Sequence, residues 1–205
     1  MKKITIVDYG LGNIHSIVNM VEKVGGEAEI ADSLKKIVNS SKLILPGVGA
    51  FDHGMKLLRD KKIIPVLKKK VIDEGIPILG ICLGAQLLTK KSEEGELSGL
   101  GWIQGETKKF IFEDSLNMKV PHVGWNTIQL CKKNPLVKHL KNDSRFYFTH
   151  SYYIDIYSSE NIVARTEYGL QFVSIFNENN IFGVQFHPEK SHMFGMTLMS
   201  NFLSL

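Results

Sequence analysis

Strand-length apolar runs alternate with helix-forming segments through the first half of this chain, and no other sequence feature restricts its fold as much. Strands are indicated at 3–8, 27–31, 42–45 and 76–81. Apolar residues at helical spacing fill the segments between them, near 13–24, 33–38, 52–59 and 62–74. This alternation predicts a parallel sheet with helices on both faces. Since such sheets bind ligands beyond the carboxyl ends of their strands, we expect functional residues directly after the strands.

The second half of the sequence is richer in strands. Strand-like runs occur near 101–112, 118–130, 145–149, 152–156, 162–166, 171–176 and 181–186, before a final helix near 192–203. There is no internal repeat, low-complexity tract or linker, so we interpret 1–205 as one domain. The predicted fold class is α/β, with a central, mostly parallel sheet, flanking helices and added antiparallel strands.

Charge and hydropathy argue against two classes of partner. The chain has 25 basic and 21 acidic residues, and its lysines are scattered rather than interleaved with aromatics, so no nucleic acid is expected. No run approaches the roughly 20 apolar residues of a membrane span, and the N-terminus lacks the apolar region of a signal peptide. We therefore expect a cytoplasmic protein without a membrane partner. Cys82 and Cys131 match no metal spacing and should be free thiols.

The segment 80–88 has the sequence GICLGAQLL, in which a buried strand runs directly into a helix. Glycines two residues on either side of Cys82 are typical of a nucleophile elbow, whose tight turn admits only small residues there. The elbow lifts the thiol to a helix N-terminus, where backbone N–H groups favour the nucleophilic thiolate. The N–H of Leu83 would face a developing oxyanion. The alternative is a buried cysteine that packs as a small hydrophobe.

A second segment, GVQFHPEKS at 183–191, offers a base and an orienting carboxylate for that cysteine. An apolar strand leads into His187, and Pro188 is expected to keep the stretch extended. In an extended chain residues i and i+2 point the same way. His187 and Glu189 are thus predicted to lie on one side, with the imidazole towards Cys82. A histidine that follows a strand is otherwise more often structural.

With these two segments the sequence resembles the class I glutamine amidotransferases over essentially its whole length. Five further segments are similar to motifs of the glutaminase subunits of imidazole glycerol phosphate synthase, namely DYGLGN at 8–13, PGVGAF at 46–51, SEEG at 92–95, VPHVGWN at 120–126 and HSYY at 150–153. The resemblance implies a glutaminase with the triad Cys82, His187 and Glu189, which needs neither a metal nor an organic cofactor. DYGLGN also suggests a dinucleotide loop, but His15 occupies the third glycine position.

The resemblance also assigns binding roles. It implies that Val48 and Gly49 belong to an oxyanion strand whose peptide has to flip. That peptide would stabilise the oxyanion together with the N–H of Leu83. Glutamine-binding groups are implied at Gln86, Glu94, His150, Ser151 and Tyr152. Glu94 would pair with the substrate ammonium and Gln86 would offer both a donor and an acceptor, although an SEEG run is usually a solvated turn.

The implied partner is a synthase subunit that consumes the ammonia. For the histidine-pathway enzyme this is a (β/α)₈-barrel cyclase, which forms a heterodimer with the glutaminase and makes imidazole glycerol phosphate and aminoimidazole carboxamide ribotide. The resemblance places Asn13, Trp125, Tyr147 and Lys190 at the interface. An exposed tryptophan is a common interface anchor, although a core tryptophan is equally ordinary.

Three departures from the pattern leave other functions open: Ala85 replaces an expected methionine, Trp102 an aliphatic residue and His192 a glutamine. Related glutaminases feed ammonia to synthases that amidinate nucleotide-linked sugars, and these departures suit that alternative. A stand-alone cysteine hydrolase would work without a partner and would not need Gln86 or Glu94. A non-catalytic binding domain would be expected to lack a triad residue, whereas all three are present.

Overall fold

The computed structural model of the protein describes residues 3–113 and 118–205. Its strands are β1 (Lys3–Val7), β2 (Glu27–Ala31), β3 (Leu43–Leu45), β4 (Ile78–Ile81), β5 (Gly105–Lys109), β6 (His122–Thr127), β7 (Gln129–Leu130), β8 (Arg145–His150), β9 (Tyr152–Ile156), β10 (Ile162–Glu167), β11 (Gln171–Glu178) and β12 (Ile181–Val184). Its α-helices are α1 (Ile14–Lys23), α2 (Leu34–Val38), α3 (Phe51–Asp60), α4 (Ile63–Lys68), α5 (Leu83–Leu87) and α6 (His192–Ser204). Short 3₁₀ turns lie at Pro135–Val137, Ser159–Asn161 and Pro188–Lys190.

A parallel layer of five strands, in the order β2-β1-β3-β4-β12, forms the centre of the fold. Alternate residues of β3 show that both of its faces are buried. Leu43 and Leu45 join the core under α3 and α4, whereas Ile44 joins the core under α1 and α6. A strand covered on both faces is apolar throughout, which explains why these runs do not alternate with polar residues.

Antiparallel strands extend the layer beyond β12. Strand β11 pairs with β12, with β10 and, at Val173, with β9. Strands β7 and β5 complete the two branches by pairing with β10 and β9. The predicted fold class, a parallel sheet with flanking helices and added antiparallel strands, is therefore confirmed.

Strands β6 and β8 form a separate two-stranded ribbon. In its register His122 lies opposite His150, and Trp125 lies opposite Tyr147. A single bridge links Tyr147 of the ribbon to His187, which follows β12. The ribbon thus lies against the edge of the parallel layer where the carboxyl ends of its strands meet.

Most predicted elements differ by one or two residues at their ends, and three differ more. The helix expected at 62–74 is α4 followed by a π-helical turn at Lys69–Asp73, with Glu74 N–H donating to the Lys69 carbonyl. The strand expected at 118–130 divides at Ile128, because β6 pairs with β8 whereas β7 pairs with β10. The strand expected at 101–112 is restricted to β5, the stretch that pairs with β9.

Candidate active site

Cys82 lies between β4 and α5 with φ 53° and ψ −112°, a backbone conformation that a non-glycine residue rarely adopts. The two neighbouring glycines make the turn possible. A Cβ on Gly84 would lie 1.9 Å from the carbonyl oxygen of Leu45, and one on Gly80 would lie 2.6 Å from Cα of Ala85. The predicted elbow is therefore present, and its glycines are required by the closeness of neighbouring backbone.

His187 and Glu189 form the predicted pair: the imidazole Nδ1 is 2.8 Å from Glu189 Oε1, and both side chains are 1% exposed. The expected extended His-Pro-Glu stretch is wrong. Pro188 begins a 3₁₀ turn that Lys190 closes with an N–H to the His187 carbonyl, 3.1 Å away. Proline suits the first position of such a turn because its φ is fixed and it needs no N–H partner. The turn brings the carboxylate back to the imidazole.

The charge state of His187 follows from its neighbours. Burial by itself lowers the pKa of this imidazole, but the adjoining Cys82 and then Glu189 raise it to about 10. Since Nδ1 is bound to Glu189, Nε2 is the nitrogen on the Cys82 side, and it is buried without a well-formed hydrogen bond to any described residue. A cationic imidazole carries a proton on each nitrogen, so its Nε2–H, next to the sulfur, is available to a reacting group.

Besides the bond from Lys190, two further contacts hold the backbone of His187 in place. Its N–H donates to the Tyr147 carbonyl at 2.9 Å, and its carbonyl accepts the Ser191 hydroxyl at 2.6 Å. Ser191 Oγ also accepts the Tyr147 N–H at 3.0 Å. Ser191 is fully buried, and sequence reasoning did not single it out although it ends the quoted 183–191 segment.

A cavity of about 220 Å³ opens above the Cys82 thiol. It brings together all the predicted oxyanion and glutamine-binding residues, and its lining consists of Val48, Gly49, Cys82, Leu83, Gln86, Glu94, Pro121, Thr149, His150, Ser151 and Tyr152. Pro121 and Thr149 were not predicted. Segments that are distant in the sequence therefore form one site at the carboxyl ends of the parallel strands.

Glu94 lies in a turn, as such a run usually does, but it is half-buried and hydrogen-bonded rather than fully solvated. Its Oε2 accepts the backbone N–H of Phe51 at 2.8 Å, at the start of α3. Burial, and secondarily the nearby Asp52 carboxylate, raise the pKa of Glu94, against the effect of the Phe51 hydrogen bond. With one oxygen fixed at the helix end, the carboxylate is held at the cavity wall.

Two buried glutamines link the cavity wall to the nucleophile. Gln86 Nε2 donates to the Tyr152 carbonyl at 3.0 Å and to Gln185 Oε1 at 3.3 Å. Gln185 Nε2 in turn lies 3.9 Å from Cys82 Sγ. Both amide hydrogens of Gln86 are thus used within the protein, which leaves its oxygen as the group for a ligand. Gln185 is fully buried and was missed, although a polar residue in an apolar strand is itself an informative signal.

The predicted oxyanion segment follows β3. Gly49 has φ +123° and no atom within 4 Å of a Cβ position, so its backbone is free to adopt conformations closed to other residues. The segment is anchored by Tyr9, whose buried hydroxyl donates to the Pro46 carbonyl at 2.7 Å. The N–H of Leu83, at the first position of α5, has no partner within the helix. Sequence reasoning did not identify Tyr9.

Three of the four predicted interface residues lie together on the surface next to the site. Trp125 is 40% exposed and packs edge-on to Tyr147, and Lys190 Nζ lies 5.7 Å from the centre of the Tyr147 ring. His192 stacks on Trp125 with ring centres 5.3 Å apart. Asn13 is exposed just before α1, and no described contact joins it to these three. We name Trp125, Tyr147, Lys190 and His192 the aromatic rim.

Metal and membrane features are not found in the part of the chain that the structure describes. Within residues 3–113 and 118–205, no three histidine, cysteine or acidic side chains converge as a metal site. Over the same ranges, no helix combines the length and apolar character needed to cross a bilayer.

Known proteins are similar to this chain in sequence and in fold. The sequence model of the family described as glutamine amidotransferase class-I matches residues 5–204. The imidazole glycerol phosphate synthase subunit HisH 2 of Methanococcus maripaludis is 51% identical over 200 residues, 98% of each chain. A HisH 2 subunit of Pseudomonas aeruginosa is 45% identical over 202 residues, 98% of this chain and 99% of the relative.

Among solved structures, PurLQS from Thermotoga maritima superimposes with a TM-score of 0.72 and 20% identity, over 98% of this chain and 97% of that chain. This likeness concerns the fold alone. The family match spans the elbow, the cavity and the His-Pro-Glu turn described above. The chain therefore belongs to the class-I glutamine amidotransferase family.

Proposed function

We propose that this chain is a glutaminase subunit that hydrolyses glutamine with Cys82, His187 and Glu189 and delivers the ammonia to a synthase subunit. The observation that supports it most directly is the meeting of an elbow cysteine and a carboxylate-bound imidazole at one cavity. A site of about 220 Å³ suits a small substrate such as an amino acid.

In the proposed reaction the Cys82 thiolate attacks the side-chain carboxamide carbon of glutamine. The Leu83 N–H and the Val48–Gly49 peptide stabilise the tetrahedral oxyanion. His187 gives its proton to the departing nitrogen, so that ammonia leaves and a thioester remains. His187 then takes a proton from water, whose oxygen attacks the thioester to release glutamate and restore the thiolate.

The cavity wall supports binding of the substrate's polar groups. Glu94 is placed to pair with the ammonium, and the Gln86 oxygen accepts a hydrogen bond. The backbone at His150, Ser151 and Tyr152 is our candidate for the substrate carboxylate. No metal or organic cofactor enters this chemistry. Both cysteines are free thiols, which favours the cytoplasm.

We further propose that the partner is a (β/α)₈-barrel cyclase, which forms a heterodimer with this chain as imidazole glycerol phosphate synthase. The names of the two relatives above support this partner. The aromatic rim is our candidate contact surface, with Asn13 as a separate contact. Ammonia released into water would be protonated and lost as a nucleophile, so direct transfer between the subunits is expected.

One observation favours an alternative partner, a synthase other than the cyclase. Both of these relatives are numbered as a second HisH, which implies more than one such subunit in each organism. An additional glutaminase can serve another synthase, and amidination of a nucleotide-linked sugar is the alternative suggested by His192 and the other departures.

The test is glutamine hydrolysis by the chain mixed with the barrel cyclase of its own organism, with and without that enzyme's ribulosyl nucleotide substrate. Strong stimulation by the nucleotide is expected. Cys82→Ala should abolish hydrolysis, whereas Cys131→Ala, at the exposed cysteine, should not. Hydrolysis by the Cys82→Ala variant would contradict the triad. A lack of stimulation with both proteins folded and the cyclase active would favour the sugar-amidating partner or a partner-independent hydrolase.

A further inference from the structure

Two buried histidines beside the cavity belong to a hydrogen-bonded chain that the proposed reaction does not use. His122 Nδ1 lies 3.2 Å from His150 Nε2, and His150 Nδ1 lies 2.8 Å from the Tyr152 carbonyl oxygen. At the other end, Asn126 Nδ2 lies 3.3 Å from His122 Nε2. The two rings are 2% and 6% exposed, so water has little access to their nitrogens.

The groups at the two ends, a carbonyl acceptor at Tyr152 and an amide donor at Asn126, fix the direction of every bond. The Tyr152 carbonyl can only accept, so His150 must donate from Nδ1. A neutral imidazole has one donor and one acceptor, so His150 Nε2 accepts and His122 must donate to it from Nδ1. His122 Nε2 is then an acceptor for the Asn126 amide.

The orientation of the Asn126 amide agrees with this direction. Its Oδ1 accepts the Thr127 N–H at 2.8 Å, and its Nδ2 also donates to the Glu167 carbonyl at 2.8 Å. Reversal of the amide would place an oxygen against that carbonyl. Both histidines are therefore held as the Nδ1–H tautomer, and a second proton on either ring would place one N–H donor directly against another.

The surroundings favour neutral rings. His122 is stacked between Phe148, with ring centres 4.8 Å apart, and Tyr168, with ring centres 3.9 Å apart. Burial lowers the pKa of His122 to about 4 and, with smaller contributions from His122 and His187, lowers that of His150 to about 3.

The chain ends on the wall of the proposed glutamine site. The Tyr152 carbonyl accepts both His150 Nδ1 and Gln86 Nε2, and all three residues line the cavity. Two donors on one carbonyl fix the orientation of its peptide, and with it the adjoining backbone proposed to hold the substrate carboxylate. Loss of one donor would let that wall relax.

We propose that His122 and Asn126 are positioning residues for glutamine, which act through the one-directional chain Asn126, His122, His150 and the Tyr152 carbonyl. This inference rests on the proposed function, since the ligand of the wall is glutamine. It assigns roles to two side chains that do not line the cavity.

The first test is ¹⁵N NMR of the histidine side chains of the full-length chain at neutral pH. Both histidines are expected as neutral Nδ1–H tautomers, which is the less common form of free histidine. An Nε2–H tautomer or an imidazolium at either position would overturn the proposal. This readout does not depend on glutaminase activity.

The second test uses Asn126→Asp, an isosteric change that replaces a donor by an acceptor. A carboxylate there requires a proton on His122 Nε2, so the His122 signal should change tautomer or charge. Glutamine affinity is measured by calorimetry in a Cys82→Ala background, where no hydrolysis occurs, and should weaken about tenfold. Unchanged affinity would overturn the positioning role.

Asn201→Asp is the matched control. Asn201 Nδ2 also donates to two backbone carbonyls, those of Leu136 and Lys138, but it is hydrogen-bonded to no histidine that the structure describes. The Asn201→Asp variant should lose about as much stability as Asn126→Asp. Its histidine tautomers and its glutamine affinity should be unchanged. An equal loss of affinity in both variants would show a general structural effect and would refute the proposal. Normal glutamine binding without hydrolysis by any mixture would instead count against the proposed function.

Discussion

The hydroxyl of Tyr9 should stabilise the fold by anchoring the segment that leads to the oxyanion residues. In Tyr9→Phe the ring remains in its fully buried position, and only the donor 2.7 Å from the Pro46 carbonyl is lost. Burial, and secondarily Cys82, raise the pKa of Tyr9, so the phenol keeps its hydrogen across the working pH range. The change therefore removes one well-defined neutral hydrogen bond.

The size of the stability loss follows from the Pro46 carbonyl, which is left without its hydrogen-bond donor. Pro46 is buried, and among the described residues its carbonyl accepts no other hydrogen bond than that of Tyr9. A buried acceptor without a partner costs about 1–3 kcal/mol, whereas an exposed hydroxyl costs far less to remove. For a chain of this size, that corresponds to a fall in Tm of roughly 2–12 °C.

Urea denaturation at neutral pH measures this difference. The matched control is Tyr157→Phe, because Tyr157 is 54% exposed and water can take the place of the hydroxyl that is removed. The control should lie within about 0.5 kcal/mol of the wild type. If Tyr9→Phe were equally neutral, the anchoring hydrogen bond would not contribute to stability, and the reasoning would be wrong.

Three further changes probe other parts of the site. Gly84→Ala should prevent folding or lower Tm steeply, because its Cβ would meet a carbonyl oxygen at 1.9 Å. The control is Gly25→Ala, at φ +82° with open space around the Cβ, which should lower the free energy of unfolding by only about 1–2 kcal/mol in thermal denaturation. Glu189→Gln should lower kcat for glutamine by two orders of magnitude or more in steady-state assays, since the triad imidazole loses the anionic partner 2.8 Å from its Nδ1. Acid should weaken the fold through His122 and His150, whose pKa values of about 4 and about 3 lie below those of the unfolded chain. Unfolding then takes up protons below about pH 6.5, so the free energy of unfolding falls with falling pH by up to ~1.4 kcal/mol per unit for each ring. Urea titrations at pH 7 and pH 5 should show this loss, and His122→Asn should reduce it.

Local sequence patterns were enough to predict the elbow and the parallel layer. The glycines on either side of Cys82 mark the elbow in the sequence, although the carbonyl that excludes a Cβ at Gly84 belongs to Leu45 on β3. Apolar runs without alternation encode strands that are covered on both faces. The family resemblance supplied the cavity residues, and the structure brings all of them to one site.

The contacts that sequence could not supply are those between distant segments. Tyr9 and Gln185 act through partners on other elements, and nothing near them in the chain predicts those partners. The His187–Glu189 pair was predicted for the wrong reason, since an extended stretch and a 3₁₀ turn both bring the side chains together. Proline restricts φ but does not distinguish between the two.

The β6–β8 ribbon connects the aromatic rim to the backbone of His187. Three residue steps, about 10 Å, separate the Trp125–Tyr147 pair from the His122–His150 pair. The ribbon lies outside the strand ladders of the main sheet and is joined to it by hydrogen bonds such as that from Asn126 Nδ2 to the Glu167 carbonyl. A tilt of the ribbon would therefore strain those bonds but need not break a ladder of that sheet. Its Tyr147 carbonyl holds the backbone N–H of His187, so the same tilt displaces the imidazole. A partner that presses on the aromatic rim would thus displace His187 through the β6–β8 ribbon.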